Sequence, residues 1–198
     1  MIDEAVAAIQ RGEPVVLPTD TVYGLATIPH SADAVERLYR VKGRAARQPT
    51  ALVAADVESL YACIPELRGR VEVAALLPGP LTLVLPNPEH RYPWLTGDRP
   101  ETIGVRVPSV QGVARELLQR VRTVAATSAN LPGGRDPRTV ADVPEEIRAH
   151  CAAVVDAGEL PGIASTVVDL TESEPRVLRE GAVPAAEVVE RVRAAVAV

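Results

Sequence analysis

Short apolar runs alternate with longer segments of helical periodicity along the whole chain, and this pattern limits the folds that it can adopt. Val15-Val16-Leu17, bounded by two prolines, is typical of a buried strand, whereas Ile2 to Arg11 has the spacing of an amphipathic helix. Two steps between strands, around Thr19–Gly24 and Gly158–Ala164, contain no helix and indicate antiparallel pairing. We therefore predict a single domain over residues 1–198, an α/β (α+β) fold with a mixed sheet flanked by helices.

The same pattern predicts seven or eight strands and six helices in total. The further strands are expected at Leu25 to Ile28, Ala51 to Ala55, Leu81 to Leu85, Thr102 to Val107, Thr123 to Ala126, Ala153 to Val155 and Ser165 to Leu170, and Pro175 to Leu178 is only a candidate for a last strand. The further helices are expected after a cap at Ser31, across Val57 to Leu77 with a break near Pro65, and at Val110 to Val121, Val140 to His150 and Pro184 to Val198.

Composition narrows the class of protein. Hydrophobic residues make up 47% and charged residues 24%, as in globular proteins, and the absence of Phe leaves the core to Ala, Val, Leu and Ile. The net charge of -5 argues against a protein that coats nucleic acid, although it leaves room for a local positive pocket. Cys63 and Cys151 have no histidine at metal spacing, so we predict no metal ligands. Without a targeting segment or an apolar run of membrane length, a cytoplasmic location is expected.

Polar loops follow several of the predicted strands, where open α/β sheets usually bind ligands. Pro18-Thr19-Asp20-Thr21-Val22-Tyr23-Gly24 offers hydroxyl groups to a small polar ligand, or forms a turn that satisfies its own backbone. Thr127-Ser128-Ala129-Asn130-Leu131-Pro132-Gly133-Gly134 leaves the same two alternatives open. No glycine-rich phosphate-binding motif of the common kinds is present.

Two groups of basic residues are also candidates for anion binding. Lys42-Gly43-Arg44, with Arg47 beyond it, either ends a helix in the ordinary way or binds polyphosphate oxygens with an ammonium and a guanidinium. Arg106 lies within an otherwise apolar strand, Gly104-Val105-Arg106-Val107-Pro108, and its charge requires a partner. That partner is either an acidic residue of the fold or the carboxylate of a ligand.

Taken in order, these loops resemble the YrdC-like family of threonylcarbamoyl-AMP synthases, in its short, single-domain form. The resemblance lies in Pro18-Thr19-Asp20-Thr21-Val22-Tyr23-Gly24-Leu25, Tyr39-Arg40-Val41-Lys42-Gly43-Arg44, Pro78-Gly79-Pro80-Leu81-Thr82, Gly104-Val105-Arg106-Val107-Pro108, Thr127-Ser128-Ala129-Asn130, Ser165-Thr166-Val167-Val168-Asp169 and Leu178-Arg179-Glu180-Gly181. It implies a twisted open mixed sheet around a large concave, positive cavity. The implied reaction joins L-threonine, bicarbonate and ATP into threonylcarbamoyl-AMP and pyrophosphate, for tRNA modification next to the anticodon.

The resemblance also implies roles for single residues and for partners. Lys42 and Arg44 would be catalytic, and the ATP site would comprise Lys42, Arg44, Ser128, Asn130 and Arg179. The threonine site would comprise Thr21, Tyr23, Arg106 and Ser165. Mg²⁺ would enter with ATP, held by its phosphates, and the product would pass to a tRNA threonylcarbamoyl transferase, with weak tRNA binding and no membrane association expected.

Two positions depart from the family pattern, and two rival functions stay open. Ala45 stands where many relatives have proline, and Val53 stands where longer relatives have a histidine, so no histidine contact to threonine is expected. One rival is a non-catalytic module that binds double-stranded RNA or tRNA, which the acidic composition and few aromatic residues disfavour. The other is a carbamoyl-transfer domain of the hydrogenase-maturation type, which shares the fold.

Overall fold

The computed structural model describes residues 1–44 and 48–197, so Ala45 and Arg47 lie outside the described residues. The helices are α1 (Ile2–Gln10), α2 (Ala32–Lys42), α3 (Val57–Cys63), α4 (Val71–Leu76), α5 (Gly112–Val121), α6 (Glu145–Arg148) and α7 (Ala185–Val196). The strands are β1 (Val15–Pro18), β2 (Tyr23–Thr27), β3 (Ala51–Ala54), β4 (Leu81–Pro86), β5 (Thr102–Arg106), β6 (Thr123–Ser128), β7 (Ala153–Val154), β8 (Thr166–Asp169) and β9 (Arg176–Arg179).

All of the described strands belong to one mixed sheet with the order β7-β1-β2-β6-β3-β5-β4-β8-β9. Three neighbouring pairs are parallel, namely β1 with β7, β3 with β5 and β4 with β8, and the other pairs are antiparallel. This confirms the predicted mixed sheet with flanking helices. The described residues contain no helix whose length and hydropathy would allow it to cross a bilayer.

Helices cover the two faces of the sheet unequally. One face packs into the larger hydrophobic cluster, which includes Leu25 of β2, Leu52 of β3 and Val105 of β5 and extends to α2, α3, α4 and α7. The other face meets α1 and α5 through a smaller cluster that includes Leu17 of β1 and Ala126 of β6. This second cluster does not reach β4, β5 or β8, so that part of the face is open for a ligand.

Helix α2 delivers the basic segment to this open region. Ser31 caps its N-terminus, as predicted, because its side chain accepts a hydrogen bond of 3.3 Å from the Ala34 amide. Gly43 ends the helix in the left-handed conformation at φ 65°, which glycine adopts without steric cost. The helix therefore stops directly after Lys42, and the chain turns so that Arg44 follows in a different direction.

Three predictions about the elements are wrong. The hairpin around Thr19–Gly24 is antiparallel, but the segment Gly158–Ala164 connects β7, at one edge of the sheet, to β8 near the opposite edge, so these strands do not pair. The helix expected at Val140 to His150 is a 3-10 turn, Val140–Asp142, followed by α6, because Pro144 lies between them. The described part of the chain also has one more strand and one more helix than the upper limits predicted.

Candidate active site

A cavity of about 490 Å³ lies over the open part of the sheet. Its floor is built from small residues, including Gly24, Ala51, Gly104 and Ala126. A β-carbon at Gly104 would lie in ordinary contact with Ala51, at 3.9 Å, and with Thr82, at 4.0 Å, so the absence of a side chain there leaves this space to the cavity. Four arginines are among its lining residues, Arg44, Arg99, Arg106 and Arg179, against one acidic residue, Asp98. The described lining is therefore strongly positive despite the net charge of the chain.

Lys42, the only lysine in the sequence, is buried beside this cavity. Its ammonium donates to the Ser128 carbonyl oxygen at 2.6 Å, to Asn130 Oδ1 at 2.5 Å and to the Asn130 carbonyl oxygen. Burial lowers the pKa of Lys42 to about 8, and the nearby positive charge of Arg44 acts in the same direction. The ammonium thus joins the segment that the sequence assigned to ATP, but it faces that segment instead of the open cavity.

The Ser128–Asn130 segment is itself ordered by internal hydrogen bonds. The Ser128 hydroxyl donates to Asn130 Oδ1 at 2.6 Å, and the Asn130 amide nitrogen donates to the Gly134 carbonyl at 2.7 Å. Ser128 lines the cavity, whereas Asn130 is not among its lining residues. The structure therefore brings Lys42, Ser128 and Asn130 together, with Ser128 as the member that faces the ligand space.

Arg44 reaches the cavity from the other side of this segment. Its guanidinium donates to Thr127 Oγ1 at 3.1 Å, to the Pro49 carbonyl at 2.8 Å and to Gln48 Oε1 at 2.8 Å, and no carboxylate of the described residues pairs with it. Burial lowers the pKa of Arg44, and the positive charge of Arg179 lowers it further, whereas Tyr39 acts in the opposite direction. Arg44 and Arg179 are therefore close enough to repel each other.

Arg106 forms an ion pair with Asp20, an acidic residue of the fold. Its Nη2 donates to Asp20 Oδ1 and, at 2.7 Å, to Thr21 Oγ1, and the Asp20 side chain is 8% exposed. The other carboxylate oxygen of Asp20 accepts a hydrogen bond of 2.8 Å from the Ser109 amide. The tip of the β1–β2 hairpin is thereby fastened to the end of β5. Arg106 nonetheless lines the cavity, and its Nε is buried without a hydrogen-bond partner among the described residues.

Asp20 supports the site through its pairing with Arg106, a role that was not predicted from the sequence. The available signal was a carboxylate placed between two threonines in the same loop that was expected to bind threonine. A second such residue is Thr82, whose hydroxyl lies 2.8 Å from that of Ser165 in the cavity wall. The sequence feature that could have identified Thr82 is its position at the end of the segment Pro78-Gly79-Pro80-Leu81-Thr82.

Ser165 connects this wall to the edge strand β9. The guanidinium of Arg179 donates to the Ser165 carbonyl at 2.8 Å through Nη2 and at 3.3 Å through Nε. Arg179 has no carboxylate partner among the described residues and also lines the cavity. Arg179 thus lies between the two predicted subsites, since it touches Ser165 and repels Arg44.

Tyr23 lies elsewhere. Its ring is fully buried in the larger hydrophobic cluster, and its hydroxyl contacts Asp156 Oδ1 at 2.9 Å, the Gly158 carbonyl at 2.7 Å and the Ala157 amide at 3.0 Å. The reason is strand alternation, because the next residue, Gly24, faces the cavity and Tyr23 must face the opposite side. Its geometry gives no support to a role in the threonine wall.

The chain belongs to the Sua5/YciO/YrdC family, since the model of that family, described as telomere recombination, matches residues 7–181. A threonylcarbamoyl-AMP synthase of Pyrococcus abyssi is 36% identical over 93% of this chain, which spans 55% of that relative's length. A threonylcarbamoyl-AMP synthase of Photobacterium profundum is 30% identical over 91% of this chain and 98% of its own length.

Solved structures agree with this assignment. P. abyssi Sua5 complexed with L-threonine has a TM-score of 0.85 and 36% identity, covering 96% of this chain and 56% of its own. Escherichia coli YciO has a TM-score of 0.80 and 26% identity, covering 95% of this chain and 92% of its own. These similarities confirm the predicted family and fold.

Proposed function

We propose that the chain is a threonylcarbamoyl-AMP synthase, which joins L-threonine, bicarbonate and ATP and releases pyrophosphate. The observation that carries the proposal is the placement of Arg44 and Arg179. Both line one cavity, neither pairs with a carboxylate of the described residues, and their positive charges repel each other. Two like charges held together in this way favour the binding of a polyanion, and the triphosphate of ATP is one.

In this proposal the nucleotide occupies the end of the cavity near Arg44 and Ser128. Arg44 and Arg179 bind phosphate oxygens, and the Ser128 hydroxyl is available to a phosphate or to the ribose. Lys42 and Asn130 support this end through the hydrogen bonds that order the Ser128–Asn130 segment. Lys42 also adds a positive charge next to the phosphates, provided that it is protonated.

Threonine occupies the end near Arg106, Ser165 and Thr21. Arg106 is held by Asp20 and Thr21 through Nη2, so the rest of its guanidinium is oriented for the carboxylate of an amino acid. The hydroxyls of Ser165 and Thr82 lie beside it and offer further polar contacts. The threonine bound to P. abyssi Sua5 is compatible with an amino-acid site in this cavity.

The reaction requires no nucleophile from the protein. The amine of threonine combines with bicarbonate, with loss of water, to give an N-carboxylate, and one oxygen of that carboxylate attacks the α-phosphate of ATP. The bond from the α-phosphorus to the bridging oxygen breaks, and pyrophosphate leaves with the electron pair. Because the two reacting groups and the leaving group are all anionic, Arg44 and Arg179 contribute by neutralising charge, and the walls contribute by orienting the reactants.

Magnesium belongs to the proposal as an ion that enters with ATP. Asp98 is the one carboxylate among the described cavity-lining residues, and no group of three His, Cys, Asp or Glu side chains in residues 1–44 and 48–197 is placed to hold a metal. This donor set fits an ion bound mainly by phosphate oxygens and water, which is the usual state of Mg²⁺ with ATP.

The product, a mixed anhydride, requires an acceptor. We propose that it passes to a tRNA threonylcarbamoyl transferase for modification of the adenosine next to the anticodon, in the cytoplasm. Weak tRNA binding during that transfer remains part of the proposal.

The direct test is to incubate the protein with labelled bicarbonate, threonine, ATP and Mg²⁺, and to search for the labelled adenylate by mass spectrometry. We expect Arg44→Ala and Arg179→Ala each to lower its formation roughly 100-fold, as is typical when a group that stabilises transition-state charge is removed. Arg11→Ala, which removes an arginine from an exposed pair with Glu13, is the matched control and should retain full activity. If both cavity variants keep normal activity, the proposed site is wrong.

The same assay separates the rival functions. A carbamoyl-transfer domain would consume carbamoyl phosphate without threonine; the similarity to HypF, at 20% identity and a TM-score of 0.69, concerns the fold alone. An RNA-binding module would retain RNA on a filter in a salt-sensitive manner but would not consume ATP in response to threonine.

A further inference from the structure

Thr166 makes an unusual set of hydrogen bonds just behind the cavity wall. It is fully buried and is not among the residues that line the cavity. Its hydroxyl accepts hydrogen bonds from the amides of Gly181 at 2.9 Å and Val183 at 3.1 Å, and donates one to the Val183 carbonyl at 2.6 Å. One side chain at the start of β8 therefore fixes the backbone that follows β9.

Close backbone packing reinforces these contacts. A β-carbon at Gly181 would lie 2.1 Å from the Ala164 carbonyl oxygen and 2.8 Å from the Ser165 carbonyl oxygen, so no larger residue fits unless the two segments separate. The Ala182 amide also donates to the Ala164 carbonyl at 2.8 Å. The segment 181–183 is thus held directly against residues 164–166.

This arrangement determines where Arg179 lies. Arg179 is two residues before Gly181, and its guanidinium donates to the carbonyl of Ser165, the residue before Thr166. The β8–β9 ladder cannot fix Arg179 alone, because its register is irregular between Val167 and Val168 and β9 is the edge strand of the sheet. The hydrogen bonds of Thr166 supply the second anchor, on the other side of Arg179.

We propose that Thr166 is a positioning residue, which holds the segment after β9 so that the Arg179 guanidinium stays beside Ser165 in the cavity. This inference rests on the proposed function for the identity of the substrates, because Arg179 would then face the phosphates and Ser165 the threonine. The support that Thr166 gives to an anion-binding arginine does not depend on which substrates bind. It can therefore be tested with inorganic pyrophosphate even if the protein does not make the adenylate.

The test compares full-length Thr166→Val, which keeps the volume but removes the hydroxyl, with Thr166→Ser, which retains it. Thr27→Val is the matched control, because Thr27 is also a fully buried strand threonine outside the cavity lining, and its hydroxyl has no partner among the described residues. The measurements are the dissociation constant of pyrophosphate by calorimetry and the threonine KM for pyrophosphate release. Hydrogen exchange of the Gly181 and Val183 amides reports on the hydrogen bonds themselves.

We expect Thr166→Val to weaken pyrophosphate binding and to raise the threonine KM by about tenfold each, with faster exchange at both amides. Thr166→Ser should stay within about twofold of the wild type, and Thr27→Val should change neither constant. In an Arg179→Ala background, Thr166→Val should have almost no further effect on pyrophosphate, since the residue that it positions is gone. A purely structural role would instead weaken binding equally in both backgrounds.

Normal pyrophosphate binding by a folded Thr166→Val protein with fast-exchanging amides would overturn the inference, as would equal losses in the two backgrounds. If Thr166→Val does not fold, Thr166→Cys, which lacks the γ-methyl and replaces the hydroxyl with a weakly hydrogen-bonding thiol, is measured against Thr166→Ser by the same criteria. A wild-type protein that binds pyrophosphate but forms no adenylate would refute the proposed function alone, and the pyrophosphate results would still decide the role of Thr166.

Discussion

Raising the pH from about 7 to about 10 should stabilise the free protein and weaken its binding of ATP, and both changes should come from Lys42. Lys42 is 5% exposed as a residue, and its ammonium lies among oxygens of Ser128 and Asn130. Burial, with the charge of Arg44, lowers its pKa from 10.5 to about 8. The folded protein therefore releases this proton at a lower pH than the unfolded chain does.

The sign and size of the stability change follow from this difference. Between about pH 8 and 10.5 the unfolded chain binds the proton and the folded protein does not, so stability rises with pH across that window. The difference between a pKa of 10.5 and one of about 8, at 1.36 kcal/mol per pH unit, gives a rise of roughly 3 kcal/mol. Below pH 8 the unfavourable contribution is present in full and does not vary with pH.

ATP should respond in the opposite direction, because its phosphates favour the protonated ammonium. One unit above the pKa only about a tenth of the protein carries the proton, so the dissociation constant of ATP at pH 9 should be about tenfold larger than below pH 8. Bound ATP should in turn raise the pKa of Lys42, since the linkage between proton and ligand is reciprocal.

The assay is simplified because Lys42 is the only lysine in the chain. Lysine labelled with ¹³C at the ε position gives one side-chain resonance, whose shift with pH reports the pKa directly, with and without ATP. Urea unfolding and calorimetric ATP binding are then measured over the same pH range. Lys42→Met, which has a similar shape and no charge, provides the reference, and the difference between the two proteins isolates the contribution of Lys42 from that of all other groups.

An ε resonance that titrates near its ordinary value of 10.5 would refute the reasoning about burial. A pKa near 8 that ATP leaves unchanged would refute the placement of Lys42 beside the phosphates. Equal pH dependence of stability in the wild type and in Lys42→Met would show that another group is responsible.

Two other substitutions test the supports of the site. Tyr23→Phe removes a hydroxyl that contacts Asp156, Gly158 and the Ala157 amide, so urea unfolding should show a loss of about 1–2 kcal/mol, whereas the threonine KM should change by less than about twofold. A large change in that KM would support the predicted role of Tyr23 in the threonine site. Asp20→Asn removes the charge that pairs with buried Arg106, so it should lower the free energy of unfolding by roughly 3 kcal/mol and raise the threonine KM. An unchanged KM would show that the ion pair has no role in threonine binding.

The sequence was sufficient for features whose causes are local. Ser31 and Gly43 delimit α2 because a cap and a left-handed glycine act on neighbouring residues, and the β1–β2 hairpin pairs as expected because its loop is short. The order of the sheet could not be derived in this way. β6 lies between β2 and β3 in the sheet, although three described strands separate it from β2 along the chain and two separate it from β3. Only packing of the whole chain decides such neighbours.

The hydrogen-bond and ion-pair partners of the charged residues could not be predicted from neighbouring residues either. Arg106 was recognised as a charge that needs a partner, but the chain has 26 acidic residues, and Asp20 is 86 positions away. Lys42, at the end of a predicted helix and directly before Gly43, was expected to converge with Arg44 on a ligand. In the fold, its ammonium donates hydrogen bonds to the carbonyl oxygens of Ser128 and Asn130, at and just after the end of β6. The spacing of residues in the sequence does not reveal such a contact.

Side chains alternate between the two faces of a strand, so residues that face the cavity and residues that hold the surrounding backbone are neighbours in the same motif. Ser165 and Val167 face the cavity, so Thr166 between them must face the interior, where its hydroxyl holds the segment after β9. Gly24 faces the cavity in the same way, and Tyr23 beside it anchors residues 156–158. A motif read from the sequence therefore combines residues that touch the ligand with residues that never do. Assigning every polar member of a motif to the substrate, as for Tyr23, confuses these two groups, and in β2 and β8 the alternation of side chains along the strand separates them.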